Sequence, residues 1–190
     1  MAAEKPRAKP RAWQRMLSGR RLDLLDPSPL DIEIDDIAHG LARVARWNGQ
    51  TVGAHAYSVA QHTLLVDDIA ALVSPDIGVS GRIAVMLHDA PEYVVGDMIS
   101  PFKMLLGGDY RAVEARLLAA IHRRFGIAAP LPEKLTARIK AADRIAAYHE
   151  AVALAGFSHA EALRFFGRPA GVDGSKFDLS PWPAARAERR

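Results

Sequence analysis

An apolar run that ends in two ionisable residues constrains this chain more than any other feature. Ile83-Ala84-Val85-Met86-Leu87 has the composition of a buried segment, and His88 and Asp89 follow it directly. An isolated charge in an apolar setting is too expensive to keep, so this pair must be hydrogen-bonded, ion-paired or bound to a metal. The fold therefore has to bring further polar groups to the mouth of the segment. Glu92 and Asp97 follow close behind, which gives four ionisable groups in ten residues.

The surrounding pattern is helical. Trp13 to Leu17 is expected as a short helix stopped by Gly19, and Arg20 to Pro27 as an extended or looped segment. Asp35 or Asp36 is placed to cap a helix through Ile37, Leu41 and Val44 to about Ala45, before a polar loop over 46–50. Ser58-Val59-Ala60-Gln61 reads as a capping box that opens a helix to about Val73. Its apolar stripe is Val59, Val66, Ile69 and Val73, and His62 falls on that stripe. Ser80 is read as the cap of the helix that delivers His88 and Asp89, with Pro91 expected to kink or end it. Further helices are expected from Asp109 to a stop at Gly126 and from Pro132 to a stop at Gly156. A second capping box, Ser158-His159-Ala160-Glu161, opens a last short one. On the long helix Asp143 follows Leu135 and Ile139 at steps of four, an acid where the pattern asks for an apolar residue. With no internal repeat and no strand alternation, the fold class expected is all-α.

Composition narrows the chemistry. A length of 190 residues suits one domain with a core of its own. No apolar run reaches the roughly 18–20 residues of a membrane span, and no secretory segment is read, so a cytoplasmic protein without membrane contact is expected. The absence of cysteine excludes disulfides, thiolate zinc sites and a cysteine nucleophile. The net charge of +3 misleads: residues 1–21 hold seven Lys/Arg against one acid and 186–190 three against one, leaving residues 22–185 at −5. The basicity is thus expected in a flexible N-terminal extension, 1–21, and a polar, basic C-terminal tail, 168–190, around a body at 22–167. No specific nucleic-acid binding is expected of such ends.

Three inward-pointing anomalies then ask for one explanation. His62, the pair His88-Asp89, and Asp143 lie on the buried sides of different helices, and each alone has an ordinary structural account. Together, two histidines and two aspartates can hold one divalent ion with positions left for water and substrate. Without cysteine the candidates are Mn, Co, Ni, Fe or Mg, or Zn with nitrogen and oxygen ligands. Glu92 lies four residues after His88 and shares its face if the helix continues, which suits a general acid or base.

The order His, His-Asp, Asp on successive helices resembles the HD-domain metal-dependent phosphohydrolases. The closer similarity is to the YfbR-like 5′-deoxynucleotidases and related bacterial and phage HD-family hydrolases. It is carried by Ala45-Arg46-Trp47, Ser58 to His62, His88 to Asp97, Ser100-Pro101-Phe102-Lys103, Tyr110 to Glu114, and Ile139 to Tyr148, over roughly residues 37–155. The segment Ser18 to Pro27 looks like the N-terminal extension of those phage and bacterial hydrolases. The resemblance implies an HD-domain helical bundle with His62, His88, Asp89 and Asp143 as ligands of one divalent ion. It also implies catalytic roles for Glu92 and Asp97, with Asp97 reaching the substrate or the leaving oxygen, and makes Arg46 and Lys103 candidates for meeting phosphate charge, which one metal alone does not neutralise. Trp47 is implied to stack on or gate the sugar, disfavouring the ribose 2′-hydroxyl, but the Asn48-Gly49 that follows and the length of the loop to His62 depart from the nucleotidase pattern. The function expected is a nucleotidase that removes the 5′-phosphate of deoxyribonucleoside monophosphates. A deoxynucleoside triphosphate triphosphohydrolase, with Arg20 and Arg21 supplying charge, is the alternative. Hydrolysis of another phosphoester and a non-catalytic HD binding module rank below. Related enzymes are often dimers, and the helices at 109–125 and 132–155 have apolar faces that can support a homodimer. His55 is a loop candidate for substrate contact, Asp23 is grouped with Arg20 and Arg21 as a lid candidate, and His39, His122, His149 and His159 are assigned no role.

Overall fold

Caps, turns and buried stripes account for most of the architecture in the computed structural model, which describes residues 12–99, 102–103 and 108–190. Strands β1 (Trp13–Arg15) and β2 (Arg21–Asp23) pair antiparallel, with Trp13 opposite Asp23. Eight α-helices follow among the described residues. They are α1 (Ile34–Leu41), α2 (Val59–Val73), α3 (Gly78–Met86), α4 (Glu92–Val95), α5 (Gly108–Arg124), α6 (Glu133–Ala153), α7 (His159–Phe166) and α8 (Ala184–Glu188). The all-α expectation holds. None of these helices is long and apolar enough to cross a membrane.

Helix α2 is the hub, with α1, α3, α6 and α8 all packed on it. Val59, Val66 and Ile69 are completely buried there, each contributing about 1.5–3 kcal/mol by leaving water. Ser58 accepts from Gln61 N at the start of α2 as expected, but the Gln61 side chain does not close the box. It donates to Ser180 O and accepts from Trp182 N instead. The box at Ser158 and Glu161 is complete.

Several expectations are corrected. Trp13 to Leu17 is not helical: Trp13–Arg15 pairs as β1, and Gly19, at φ +88°, shapes the turn rather than stopping a helix. Asp36 caps nothing, because its carboxylate accepts from Ser18 N and Ser18 Oγ at 2.9 and 2.5 Å and so pins that turn. The cap of α1 is Glu33, and the helix ends at Leu41, short of Val44 and Ala45. Ser80 lies inside α3. Pro91 interrupts nothing, since α3 already ends at Met86 and a run of three-residue turns spans Leu87 to Pro91. Residues 168–190, expected as a flexible tail, are seated on the body: Ala187 is buried, and Glu188 meets His39 and Arg43. Of the N-terminal extension, residues 1–11 lie outside the described residues and 12–21 form most of the hairpin. Arg20 is paired with Glu33 at 2.7 Å, Arg21 lies over the Trp13 ring, and Asp23 accepts from Leu25 N and Asp26 N, so the lid candidates are engaged within this corner.

Gly40 lets α1 close on α4. A Cβ there would stand 2.7 Å from Tyr93 Cβ and 3.0 Å from Tyr93 O. Gly40→Ala gains about 1 kcal/mol of helix propensity, but overpacking costs about 1–3 kcal/mol, and the obstruction includes main chain that cannot swing away. A net loss of about 1 kcal/mol or more is expected in urea unfolding. A more stable variant would show that α4 yields freely.

Candidate metal centre

The site is assembled by one closed loop and three segments. Ala45 bridges to Ser58, Arg46 N donates to Tyr57 O, and Val59 N to Val44 O, so residues 46–57 leave and return at the start of α2. That closure sets Arg46 and Trp47 beside the first turn of α2, where His62 sits fully buried. The turn after α3 brings His88 and Asp89, and α6 brings Asp143 from the middle of its length.

His62, His88 and Asp143 each offer a ligand atom, all within 4.8 Å of one another, and this group can hold a metal ion. Asp89 Oδ2 lies 3.4 Å from His62 Nε2 and 3.2 Å from His88 Nε2, which brings the fourth expected ligand to the same point. His62 Nε2, His88 Nε2 and Asp143 Oδ1 are buried without a hydrogen-bond partner. The opposite nitrogens are engaged: His88 Nδ1 donates to Val85 O at 2.8 Å, and His62 Nδ1 meets Glu150 Oε1 at 2.6 Å. In the neutral rings, then, both Nε2 lone pairs face the common point, the arrangement a metal-binding histidine needs.

Charge in the site is concentrated and opposed. Burial works to raise the Asp89 carboxyl, but His88, His62 and Arg46 hold it well below the usual carboxylate range. Asp143 is also held low, with burial outweighed chiefly by His62. Burial and Arg46 press His62 toward neutrality, yet Glu150, Asp143 and Asp89 prevail and raise its pKa well above the ordinary value. A divalent ion would take the place of that proton. Arg46 lies 3.5–3.7 Å from Asp89, Asp97, Asp143 and Glu150, longer than a close charged hydrogen bond to any of them. Burial lowers its pKa, but those four acids together raise it.

Glu92 is 2% exposed and its Oε2 has no hydrogen-bond partner. Burial, then Asp89 and Asp97, push its carboxyl up to about 9, so it keeps its proton at neutral pH. Lys103 Nζ stands 3.7 Å from Glu92 Oε1 and 3.0 Å from Glu114 Oε1. His62, His88, Asp89, Asp143, Asp97 and Arg46 are thus linked through one set of contacts, and the Glu92–Lys103 pair bears on them through the charges of Asp89, Asp97 and Arg46. Trp47 is oriented differently from a free stacking platform: its ring packs on Phe157 and Phe166, and its Nε1 donates to Glu150. His55 is exposed in its loop.

Sequence reasoning missed Glu150. It is completely buried and touches His62, Trp47 and Arg46. The signal was its spacing of seven residues from Asp143, two helical turns along the same face, amid small apolar residues.

Fold and site together define a mainly helical protein with a His/Asp group, His62 fully buried and His88 and Asp143 partly so, able to hold a metal ion. No family model matches the sequence. Over 179 residues the chain is 59% identical to an uncharacterised protein of Rhodobacter capsulatus, covering 93% of this chain and 91% of that protein. The chain belongs to that protein's family.

Proposed function

We propose that this protein is a divalent-metal-dependent phosphohydrolase, acting as a 5′-nucleotidase on deoxyribonucleoside monophosphates. The observation that carries the reading is the convergence of His62 Nε2, His88 Nε2 and Asp143 Oδ1, buried and without hydrogen-bond partners, in a site that also encloses the Glu92 carboxyl. His62, His88, Asp89 and Asp143 would hold the ion, which when bound would polarise a phosphoryl oxygen and lower the pKa of a water. Arg46, loosely shared among four carboxylates, can turn its N–H groups to phosphoryl oxygens while Asp97 keeps it over the site. Glu92 holds a proton at its carboxyl and can pass it to the departing 5′-oxygen, which would otherwise leave as an alkoxide. Lys103 steadies the carboxylate left behind.

A monoester suits this charge balance better than a triphosphate. Among the described residues, the Lys/Arg side chains contacting the site's acids are Arg46 and Lys103, and Lys103 is shared with Glu114. Arg20 and Arg21 are engaged in the hairpin corner. The sugar preference rests on the resemblance to deoxynucleotidases alone. The test is product release from deoxy- and ribonucleoside mono- and triphosphates, using metal-stripped protein with Mn, Co or Ni restored. Orthophosphate from deoxynucleoside monophosphates is the expected product. Tripolyphosphate from triphosphates would replace this reading with the triphosphohydrolase, and no release with any metal would remove the catalytic assignment.

A further inference from the structure

Glu150 has no part in the chemistry above, yet no acid in the described residues is more completely enclosed. Both of its oxygens are taken by N–H donors from other elements. His62 Nδ1 meets Oε1 at 2.6 Å and Trp47 Nε1 donates to Oε2 at 3.0 Å. We propose that Glu150 is a positioning residue: gripped by Trp47, it fixes the tautomer and ring angle of His62 and thereby sets the affinity of the centre for its divalent ion. This rests on the metal-centre reading given above.

The physical argument has two links. An imidazole can present either nitrogen and can swing about its Cβ–Cγ bond, so a ligand ring held only by packing would offer its lone pair in the right direction part of the time. A carboxylate on Nδ1–H removes both freedoms, and partners of this kind are typically worth 10–100-fold in metal affinity. The second link is what holds the carboxylate itself. Trp47 and Asn48 are both in the left-handed region, at φ 57° and 50°. Non-glycine residues persist there only when their surroundings over-determine them. Phe157 and Phe166, each with its ring centroid 5.7 Å from that of Trp47, supply that constraint. The aromatic cluster under α7 therefore reaches the metal ligand through one indole N–H and one carboxylate.

Glu150→Gln tests the grip with little change of shape. An amide offers one acceptor oxygen and one NH2, and it must face two N–H donors, so one contact becomes donor against donor. Metal-stripped full-length protein is titrated with Mn or Co. The variant is expected to bind about 10–100-fold more weakly than wild type. Adding Trp47→Phe in the Glu150→Gln background removes one opposing donor and is expected to recover part of that loss, a non-additivity that a purely structural role would not produce. If Glu150→Gln does not fold, Trp47→Phe alone carries the test. A few-fold weaker affinity and altered 15N shifts of the His62 ring support the proposal, whereas unchanged affinity and shifts overturn it. Wild-type protein that binds neither metal would overturn the metal-centre reading. Wild-type binding matched by Glu150→Gln would overturn the positioning role alone.

Discussion

Asp89→Ala is expected to abolish divalent-metal binding and, with it, phosphoester hydrolysis. Asp89 Oδ2 is the atom that approaches both histidines, at 3.4 Å from His62 Nε2 and 3.2 Å from His88 Nε2. Its charge is held by His88, His62 and Arg46 against the cost of burial. Removing it takes away one of two carboxylates that would balance the ion and leaves Asp143 as the one carboxylate beside the two Nε2 atoms. The loss should exceed the roughly 10–100-fold that follows removal of an outer partner. Metal content after dialysis and a Co titration measure it directly. Full occupancy in the variant would strike Asp89 from the ligand set and leave the ion to His62, His88 and Asp143, which already converge.

Glu92→Gln should separate binding from chemistry. The variant is expected to keep the metal and lose about 10²–10⁴-fold in turnover, the usual contribution of a positioned proton donor. The same residue makes a prediction about stability. Its folded-state pKa, about 9, lies above the ordinary 4.5. Between those values the unfolded chain has released a proton that the folded chain keeps, so stability falls as pH rises across that window. Thermal unfolding of chelator-treated wild type should therefore drop from pH 5 to pH 9 more steeply than that of Glu92→Gln. Parallel curves would mean that Glu92 ionises normally in the folded protein. Turnover retained by Glu92→Gln would pass the proton transfer to another group, with Asp97, whose charge also bears on the Glu92 carboxyl, the candidate.

The candidate ligand residues were legible because each breaks a pattern. An acid at Asp143, on the stripe of Leu135 and Ile139, and a histidine at His62, on the stripe of Val59 and Val66, are visible as exceptions to helical periodicity. The helix at Ser158 was legible because both halves of its capping box are local. What was not legible depends on distant partners. Asp36 reads as a cap until Ser18 takes its oxygens, and Gln61 reads as half of a box until Ser180 and Trp182 claim its amide. Strands of three residues carry no period-two pattern, so β1 read as helix, while β2 fell within the segment expected to be extended or looped. Glu150 sits beside His149 and Tyr148 near a helix end, and its seven-residue spacing from Asp143 gains meaning only once the ring 88 positions earlier is in place.

Those distances in sequence also bear on the order in which the protein comes into being. His62 waits 88 residues for Glu150, Gln61 waits 121 for Trp182, and Arg43 waits 145 for Glu188. Contacts of such separation form late, after loop closure has been paid for elsewhere. On a ribosome that releases domains from the N-terminus onward, α2 emerges long before anything can orient its histidine. The nascent chain therefore lacks Asp143 and Glu150 while α2 emerges, and the group that can hold a metal ion is complete only once α6 has been made.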